Sequence, residues 1–141
     1  MRLFNSLAIS ATGLTAERLR MDLISSNIAN INTTRTAEGG PYRRKVAVFA
    51  EQLEQALGSR QGYRGKGVQV AAIVQDNSPD KLVYDPSHPD ADPQGYVHLP
   101  NINIVTEMVD LITATRSYEA NVTVLNAGKA MAMKALEIGR G

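Results

Sequence analysis

Hydrophobic positions at both ends of the chain repeat with heptad spacing, whereas the middle of the chain lacks this repeat. The C-terminal positions alternate four and three residues apart and are Ile104, Met108, Leu111, Thr115, Tyr118, Val122, Leu125, Lys129, Ala132 and Leu136. The N-terminal positions are Leu7, Leu14, Met21 and Ile28 at intervals of seven, with Phe4 and Ala11 at the matching partner positions. Such a repeat keeps one stripe of a helix facing a neighbour. The sequence therefore predicts two long helices that pair as a coiled coil.

The first helix also carries a second apolar stripe. Ile9, Ala16 and Leu23 lie about 200° around the helix axis from the first stripe, and Leu19 broadens the second one. One partner helix cannot cover both sides, so we expect a helical hairpin to leave Ile9, Leu19 and Leu23 exposed. On the second helix the residues expected to stay exposed are Val105, Val109, Ile112, Met131 and Ile138. Apolar stripes of this extent indicate an interaction surface.

The pattern divides the chain into three parts: an N-terminal helix with an Asn-rich turn (1–34), a β-rich insert (35–100) and a C-terminal helix (101–141). The first helix is predicted from Leu3 to Asn27, and the second begins after Pro100 with Asn103 as a candidate N-cap. In the insert, strands or extended segments are predicted at 43–50, 67–76, 81–85 and 95–100, a helical turn at 51–57 and a Gly-rich loop at 58–67. The fold class predicted is mainly α, with two long packed helices and a small antiparallel β unit between them.

Composition excludes several kinds of chemistry. The chain has 141 residues, no cysteine and a net charge of +1. Disulfides, thiolate metal sites and cysteine nucleophiles are therefore excluded, and bulk charge gives no indication of nucleic acid as a partner. The first residues do not form the apolar core of a cleaved signal peptide, and no apolar run is long enough to span a bilayer, so membrane insertion is not expected.

The candidate chemical motifs are all incomplete. Asp90, Asp92 and Gly95 match three positions of a calcium loop, but the required Glu is replaced by Asn101. The segment 62–67 resembles a phosphate loop in composition only. The three basic residues 43–45 are more simply a surface or subunit contact than a nucleic-acid patch. No nucleophile, base and stabiliser converge, so no enzyme activity, metal or cofactor is expected.

The termini carry a more specific signal. SSNIANINTTRT, at residues 25–36, resembles the Asn-rich motif of bacterial flagellar rod and hook proteins. The segment from Asn101 to the C-terminus, with EMV followed by RSYEAN and an amphipathic tail, resembles the second motif of that group. The short insert, with GPYRRK at 40–45, is most similar to the proximal-rod members of the family.

This resemblance implies a structural subunit, without catalytic site or cofactor, that stacks helically with other copies of itself to form the drive shaft of the flagellum. It implies a place in the periplasmic rod of the basal body, export by the flagellar type III apparatus without a cleaved signal, and contacts with other rod proteins and a FliE-type base adapter. The alternative is a soluble coiled-coil adapter or export chaperone of the same secretion system, which would form a small closed oligomer. In the rod, association and ordering of the terminal helices are expected to be coupled.

The residues expected to act fall into two groups. The predicted subunit interface is formed by Phe4, Leu7, Ile9, Leu14, Leu19, Met21, Leu23, Ile28, Met108, Leu111, Arg116, Tyr118, Glu119, Asn121, Val122, Leu125, Met131 and Leu136. The residues predicted to end the first helix and hold the turn into the insert are Asn27, Asn30, Asn32 and Thr33. Arg116, Tyr118, Glu119 and Asn121 form a polar band in which Tyr118 occupies the seam and its neighbours are expected to bridge adjacent subunits. The polar residues at or beside seam positions, Arg18, Thr115 and Lys129, are expected to fix the register of assembly.

Overall fold

The computed structural model of the protein describes residues 2–54 and 64–141. Two long α-helices come first and last in the described chain, and between them four strands form two two-stranded antiparallel sheets. The elements follow in the order α1, β1, β2, β3, β4, α2. Their bounds are α1 Arg2–Ala29, β1 Lys45–Glu54, β2 Arg64–Gln75, β3 Lys81–Tyr84, β4 Tyr96–Leu99 and α2 Ile104–Gly139. The predicted fold class of two long helices with a small β insert is confirmed.

α1 and α2 lie antiparallel along each other. Asn27 near the end of α1 contacts Glu107 near the start of α2, while Leu7 near the start of α1 packs on Gly128. Between these points the Thr115 hydroxyl lies 3.6 Å from the sulfur of Met21. Because α2 has 36 residues and α1 has 28, this register leaves the C-terminal end of α2, from about residue 133, beyond the first residue of α1.

The line along which α2 is most buried contains small and polar side chains. Its buried residues are Glu107, Ala114 and Gly128, spaced in multiples of seven. Each of these buried residues precedes a predicted seam residue, Met108, Thr115 or Lys129, by one position. α2 is therefore rotated about its own axis relative to the orientation that the heptad pattern predicts. A methyl group at Gly128 would lie 2.5 Å from Leu7 Cδ2, so the Leu7 side chain packs directly against the backbone of Gly128. Small residues permit this approach, whereas a large residue would separate the helices.

A β-ribbon formed by β1 and β2 covers the other side of α1. Ala16, in the second apolar stripe, is buried, and Leu19 and Leu23 are half-buried beside the ribbon. The expectation that a helical pair leaves Leu19 and Leu23 exposed is therefore wrong, because the insert returns along α1 and forms a third layer. Ile9 remains exposed.

The ribbon extends further than the sequence indicates. Residues 51–54 continue β1 rather than starting a helical turn, and residues 64–67 begin β2 rather than a loop. The remainder of both of these predictions, residues 55–63, lies outside the described residues. Two register shifts, at Val48/Phe49 and Gln52/Leu53, place one extra residue of β2 in the ladder each time. The first shift breaks the single face predicted for 68, 70, 72 and 74, since a bulge reverses the alternation beyond it.

Gly67 positions the ribbon on α1. Its φ of 117° lies in the region that favours glycine, and a Cβ there would lie 2.1 Å from the Thr12 hydroxyl oxygen. That same oxygen accepts a hydrogen bond from the backbone N–H of Val68 at 3.1 Å. Glycine is therefore required at this close approach of strand to helix.

The second sheet is a four-residue hairpin in which β3 pairs antiparallel with β4, from Lys81 opposite Leu99 to Tyr84 opposite Tyr96. Val97 is buried under it. The Asp-rich connection is closed by its own carboxylates: Asp92 accepts from the backbone N–H groups of Gln94 and Tyr96. The hairpin ends just before Asn103, whose side chain caps α2 by accepting from the N–H groups of residues 105 and 106, as predicted.

Candidate assembly surfaces

Asn27 joins the two helices to the β-ribbon. Its amide group donates to the Lys45 carbonyl oxygen at 2.9 Å and accepts from the Lys45 N–H at 3.0 Å. The side chain thus acts as a short piece of strand beside the first residue of β1. It also donates to Glu107 Oε2 at 3.2 Å and accepts from the Tyr42 hydroxyl at 3.1 Å. With four hydrogen bonds and 1% of its surface exposed, Asn27 has every polar group satisfied.

Glu107 is the buried charge at this joint. Its side chain is 1% exposed and forms an ion pair with Arg44, whose guanidinium also lies 3.5 Å from Asp110. Arg44 stands just before β1, and its carbonyl oxygen accepts from the N–H of Asp76 just after β2. A buried carboxylate that lacked such partners would be costly. The pair therefore holds the start of α2 against the end of the ribbon at which β1 begins and β2 ends.

The sequence did not identify this pair. Glu107 lies in the first turn of the predicted second helix, where acids are favoured. Arg44 is one of the three basic residues 43–45 that are expected at a surface or subunit contact. The distance of 63 residues between the two leaves no local pattern from which the pairing could be read.

The Asn-rich turn after α1 is held by two of the four residues named for it. Asn30 donates from its side chain to the Ser26 carbonyl oxygen at 2.8 Å, and Thr33 donates to Asn30 Oδ1 at 3.1 Å. The Thr33 carbonyl oxygen then accepts from the Tyr42 N–H, which brings the chain back towards α1. Asn32 is exposed. Asn27 lies within the helix, which continues for two further residues.

The predicted interface residues fall into two environments. The half-buried group comprises Leu7, Leu14, Leu19, Met21, Leu23, Ile28, Leu111, Tyr118, Asn121, Val122 and Leu125. The exposed group comprises Phe4, Ile9, Met108, Arg116, Glu119, Met131 and Leu136. Within the first group Asn121 faces α1 at Gly13, where an added methyl would lie 3.1 Å from its amide nitrogen. Much of the heptad seam is therefore used inside the subunit.

α2 leaves an apolar surface open on the part of its circumference that does not pack on α1. We call it the outer face, defined by Val105, Met108, Val109, Ile112, Val124 and Met131, each more than half exposed. Arg116 and Glu119 stand between its two ends and are also exposed. Isolated exposed apolar residues are ordinary. Val105, Met108, Val109 and Ile112, however, lie together on one side of the first turns of α2, whereas Val124 and Met131 stand further along the helix and about 100° around its axis. A cluster such as the first one is typical of an interaction surface.

Outside the outer face, the described residues form one further surface feature of note, a groove beside α1. A groove of about 550 Å³ between α1 and β2 is lined mainly by apolar and hydroxyl side chains, among them Thr12, Leu19, Val68 and Val70. Over residues 2–54 and 64–141, no three His, Asp or Glu side chains are arranged to hold a metal ion. Neither long helix, as far as the structure describes it, is apolar enough over sufficient length to cross a membrane.

Comparison with known proteins matches both termini and the whole chain. Residues 7–35 match the family model "Flagella basal body rod protein", and residues 94–138 match "Flagellar basal body rod FlgEFG protein C-terminal". The flagellar basal-body rod protein FlgC of Bacillus subtilis is 51% identical, over 99% of this chain and all of its own length. The FlgC proteins of Borreliella burgdorferi and Escherichia coli O6:H1 are 50% and 44% identical, over 100% and 99% of this chain. On this evidence the chain belongs to the FlgC family of flagellar basal-body rod proteins.

Proposed function

We propose that this rod subunit of the flagellar basal body assembles helically with copies of itself by burying the outer face of α2 against neighbouring subunits, and that the resulting shaft transmits torque. The observation that carries the proposal is that α1 is already covered on two sides within the subunit, whereas α2 is covered on one. Among the exposed apolar side chains, Val105, Met108, Val109 and Ile112 lie close together near the start of α2. Because these side chains are 52–66% exposed in the subunit, burying the rest of each would contribute roughly 1–2 kcal/mol to association.

The buried polar network around Asn27 is suited to a subunit that transmits torque. Asn27, Arg44 and Glu107 connect α1, α2 and the ribbon through buried hydrogen bonds, and such a network specifies one arrangement more sharply than apolar packing does. On the outer face, Arg116 and Glu119 would oppose slippage along an otherwise apolar contact, since a charge placed against the wrong neighbour is costly.

The further parts of the proposal concern place and partners. We propose a periplasmic position in the rod, export through the flagellar type III apparatus without a cleaved signal, and contacts with other rod proteins and the base adapter. We further propose that the chain is not an enzyme and needs no cofactor. The support is the family membership together with a surface that offers apolar contact rather than catalytic groups.

The alternative function, a soluble adapter or export chaperone, predicts a different location and size. Such a protein would form a small closed oligomer and would be absent from finished basal bodies. The FlgC relatives do not favour it.

A localisation and cross-linking experiment tests the proposal. The chain has no native cysteine, so Met131→Cys and Ile9→Cys each provide one reactive site. In basal bodies isolated from cells that make only the variant chain, a photoreactive cross-linker attached to Met131→Cys is expected to join neighbouring subunits, because Met131 lies on the outer face and the linker reacts with whichever residue of the neighbour is close to it. Absence of the chain from basal bodies would refute the rod assignment, and presence without a Met131 cross-link would refute the outer-face contact.

A further inference from the structure

The methionines of this chain carry all of its sulfur chemistry. The sequence contains five methionines and no cysteine, and peroxides convert the methionine thioether to a sulfoxide. The first methionine lies outside the described residues, and the other four are Met21, Met108, Met131 and Met133. Oxidation of the sulfur atoms in the described chain therefore concerns these four positions.

Three of these four methionines are open to solvent. Methionine is among the residues most often fully buried, yet Met108, Met131 and Met133 are 52%, 58% and 55% exposed along α2. Met21 differs, because it is half-buried where α1 meets α2, with its sulfur 3.6 Å from the Thr115 hydroxyl oxygen. An oxidant in solution therefore has freer access to the three methionines of α2 than to Met21.

Met108 lies where a polar group would do the most harm to association. Val105, Val109 and Ile112 surround it on the outer face, and each of them is also more than half exposed. Oxidation changes the flexible apolar side chain of methionine into a polar one. Burying that polar oxygen among aliphatic side chains is unfavourable unless a hydrogen-bond donor meets it. Met131 stands apart from this cluster, and Met133 is not part of the outer face.

We infer that Met108 is a modification site at which oxidation to the sulfoxide keeps the chain out of the rod. The inference rests on the proposed function, because it requires that the outer face becomes buried. In the reaction, the sulfur attacks one oxygen of hydrogen peroxide, an S–O bond forms as the O–O bond breaks, and the second oxygen leaves as water after proton transfer. The sulfur loses the two electrons that the peroxide gains.

The site is open only before assembly. In the separate subunit Met108 is exposed, and the proposed periplasmic position lies in an oxidising compartment. In the rod the neighbouring subunit covers the same sulfur. Oxidised chains are thus rejected on arrival, while chains already assembled are protected. A sulfoxide reductase can return the rejected chain to the thioether form, using two thiols that become a disulfide and releasing the oxygen as water.

Paired substitutions test the site without an oxidant. Glutamine imitates the polarity of the sulfoxide, whereas leucine imitates the volume and apolar character of the thioether. Isolated basal bodies are expected to contain roughly tenfold less Met108→Gln chain than Met108→Leu chain, because only glutamine places a polar group in the cluster. The matched control is the pair Met133→Gln and Met133→Leu, which lies in the same helix at a similar exposure and should give equal amounts.

Equal amounts of the two Met108 variants in basal bodies would overturn the inference. Urea unfolding of the purified variants excludes a folding defect, since both substitutions are at a half-exposed position and similar midpoints are expected. A much lower midpoint for Met108→Gln would also overturn the inference, because poor folding would then explain its loss from the rod.

Peptide mass mapping after treatment with hydrogen peroxide follows the reaction itself. In the purified full-length chain, the sulfoxide is expected to form several times faster at Met108 than at Met21, in keeping with their exposure. In isolated basal bodies, the rate at Met108 is expected to fall severalfold, because the subunit contact excludes the oxidant. Equal rates at Met108 and Met21 in the purified chain, or an unchanged rate at Met108 in basal bodies, would contradict the inference.

These outcomes separate this inference from the proposed function. If the cross-linker at Met131→Cys joins subunits in basal bodies while the two Met108 variants assemble equally, the oxidation site is wrong and the outer-face contact stands. If the chain is absent from basal bodies, the rod assignment itself fails.

Discussion

Replacing Gly128 by alanine sets helix propensity against the close packing of α1 on α2. Alanine is favoured over glycine within a helix by about 1 kcal/mol. At Gly128, however, the added methyl would lie 2.5 Å from Leu7 Cδ2, and overpacking of this kind costs about 1–3 kcal/mol. We therefore expect Gly128→Ala to reduce the free energy of unfolding by up to about 2 kcal/mol, since the packing cost outweighs the gain in propensity.

The matched control is Gly139→Ala in the same helix. An added methyl there has no neighbour within 4 Å among the described atoms, so the packing cost is absent. The expected change is a gain of less than about 1 kcal/mol, because the position lies in the last turn. The difference between the two variants isolates the cost of packing against α1.

Urea unfolding followed by helical circular dichroism measures both variants, and the midpoint and slope together report the free energy of unfolding. Shortening the neighbour by Leu7→Ala in the Gly128→Ala background should recover part of the loss, since the two residues are in contact and their effects are not additive. If Gly128→Ala stabilises the chain as much as Gly139→Ala does, the close approach of the helices at this point is wrong.

Three further predictions concern the joint, the ribbon and the hairpin. Arg44→Leu should cost about 3–5 kcal/mol because it leaves the Glu107 carboxylate buried without its cation, and adding Glu107→Leu should recover part of that loss in a double-mutant cycle; additive losses would contradict the pairing. Gly67→Ala should lower the free energy of unfolding by about 1–3 kcal/mol, because its backbone conformation is unfavourable for alanine, and amide exchange should show loosening of β2. The Asp85 carboxyl should titrate below its ordinary pKa of 3.8, so its contribution to stability is present above that pH and is lost as the pH falls through the lowered value; a carbon-detected NMR titration that shows no lowering relative to Ser87→Ala would refute this.

Both helices can be predicted from sequence because the regular spacing of apolar residues along the chain is itself the signature of a helix. The start of α2 at its Asn103 cap and the short strand at 81–84 followed from single residues with strong positional preferences. The prediction that Leu111, Tyr118 and Leu125 belong to one stripe of contact residues agrees with the structure, in which all three side chains are half-buried.

The exact seam was less accessible to sequence reasoning. The buried line through Glu107, Ala114 and Gly128 contains no large apolar residue, so a search for leucine-like positions selects the neighbouring line instead. The coiled-coil description of the pair stays a prediction, because close packing through small residues differs from large side chains inserted between four neighbours.

The remaining differences between prediction and structure come from contacts between residues that are far apart in the sequence. The second stripe of α1 predicts a surface that stays exposed within the subunit, but Leu19 and Leu23 are covered by the β-ribbon of the same chain. Nothing in the local pattern of residues 45–75 shows on which helix they will lie. Likewise, the role of Asn27 depends on a strand that begins 18 residues later, so the residue was assigned to the end of the helix.

The central claim is that the outer face of α2 becomes buried between subunits in the rod. Single cysteines at Ile112 and, as control, at Glu38 in the exposed turn 36–40 can be labelled with a maleimide in the purified chain and in intact basal bodies. The account predicts that both sites react in the purified chain, and that in basal bodies only Ile112→Cys is protected. Equal labelling of Ile112→Cys in the purified chain and in basal bodies would contradict it.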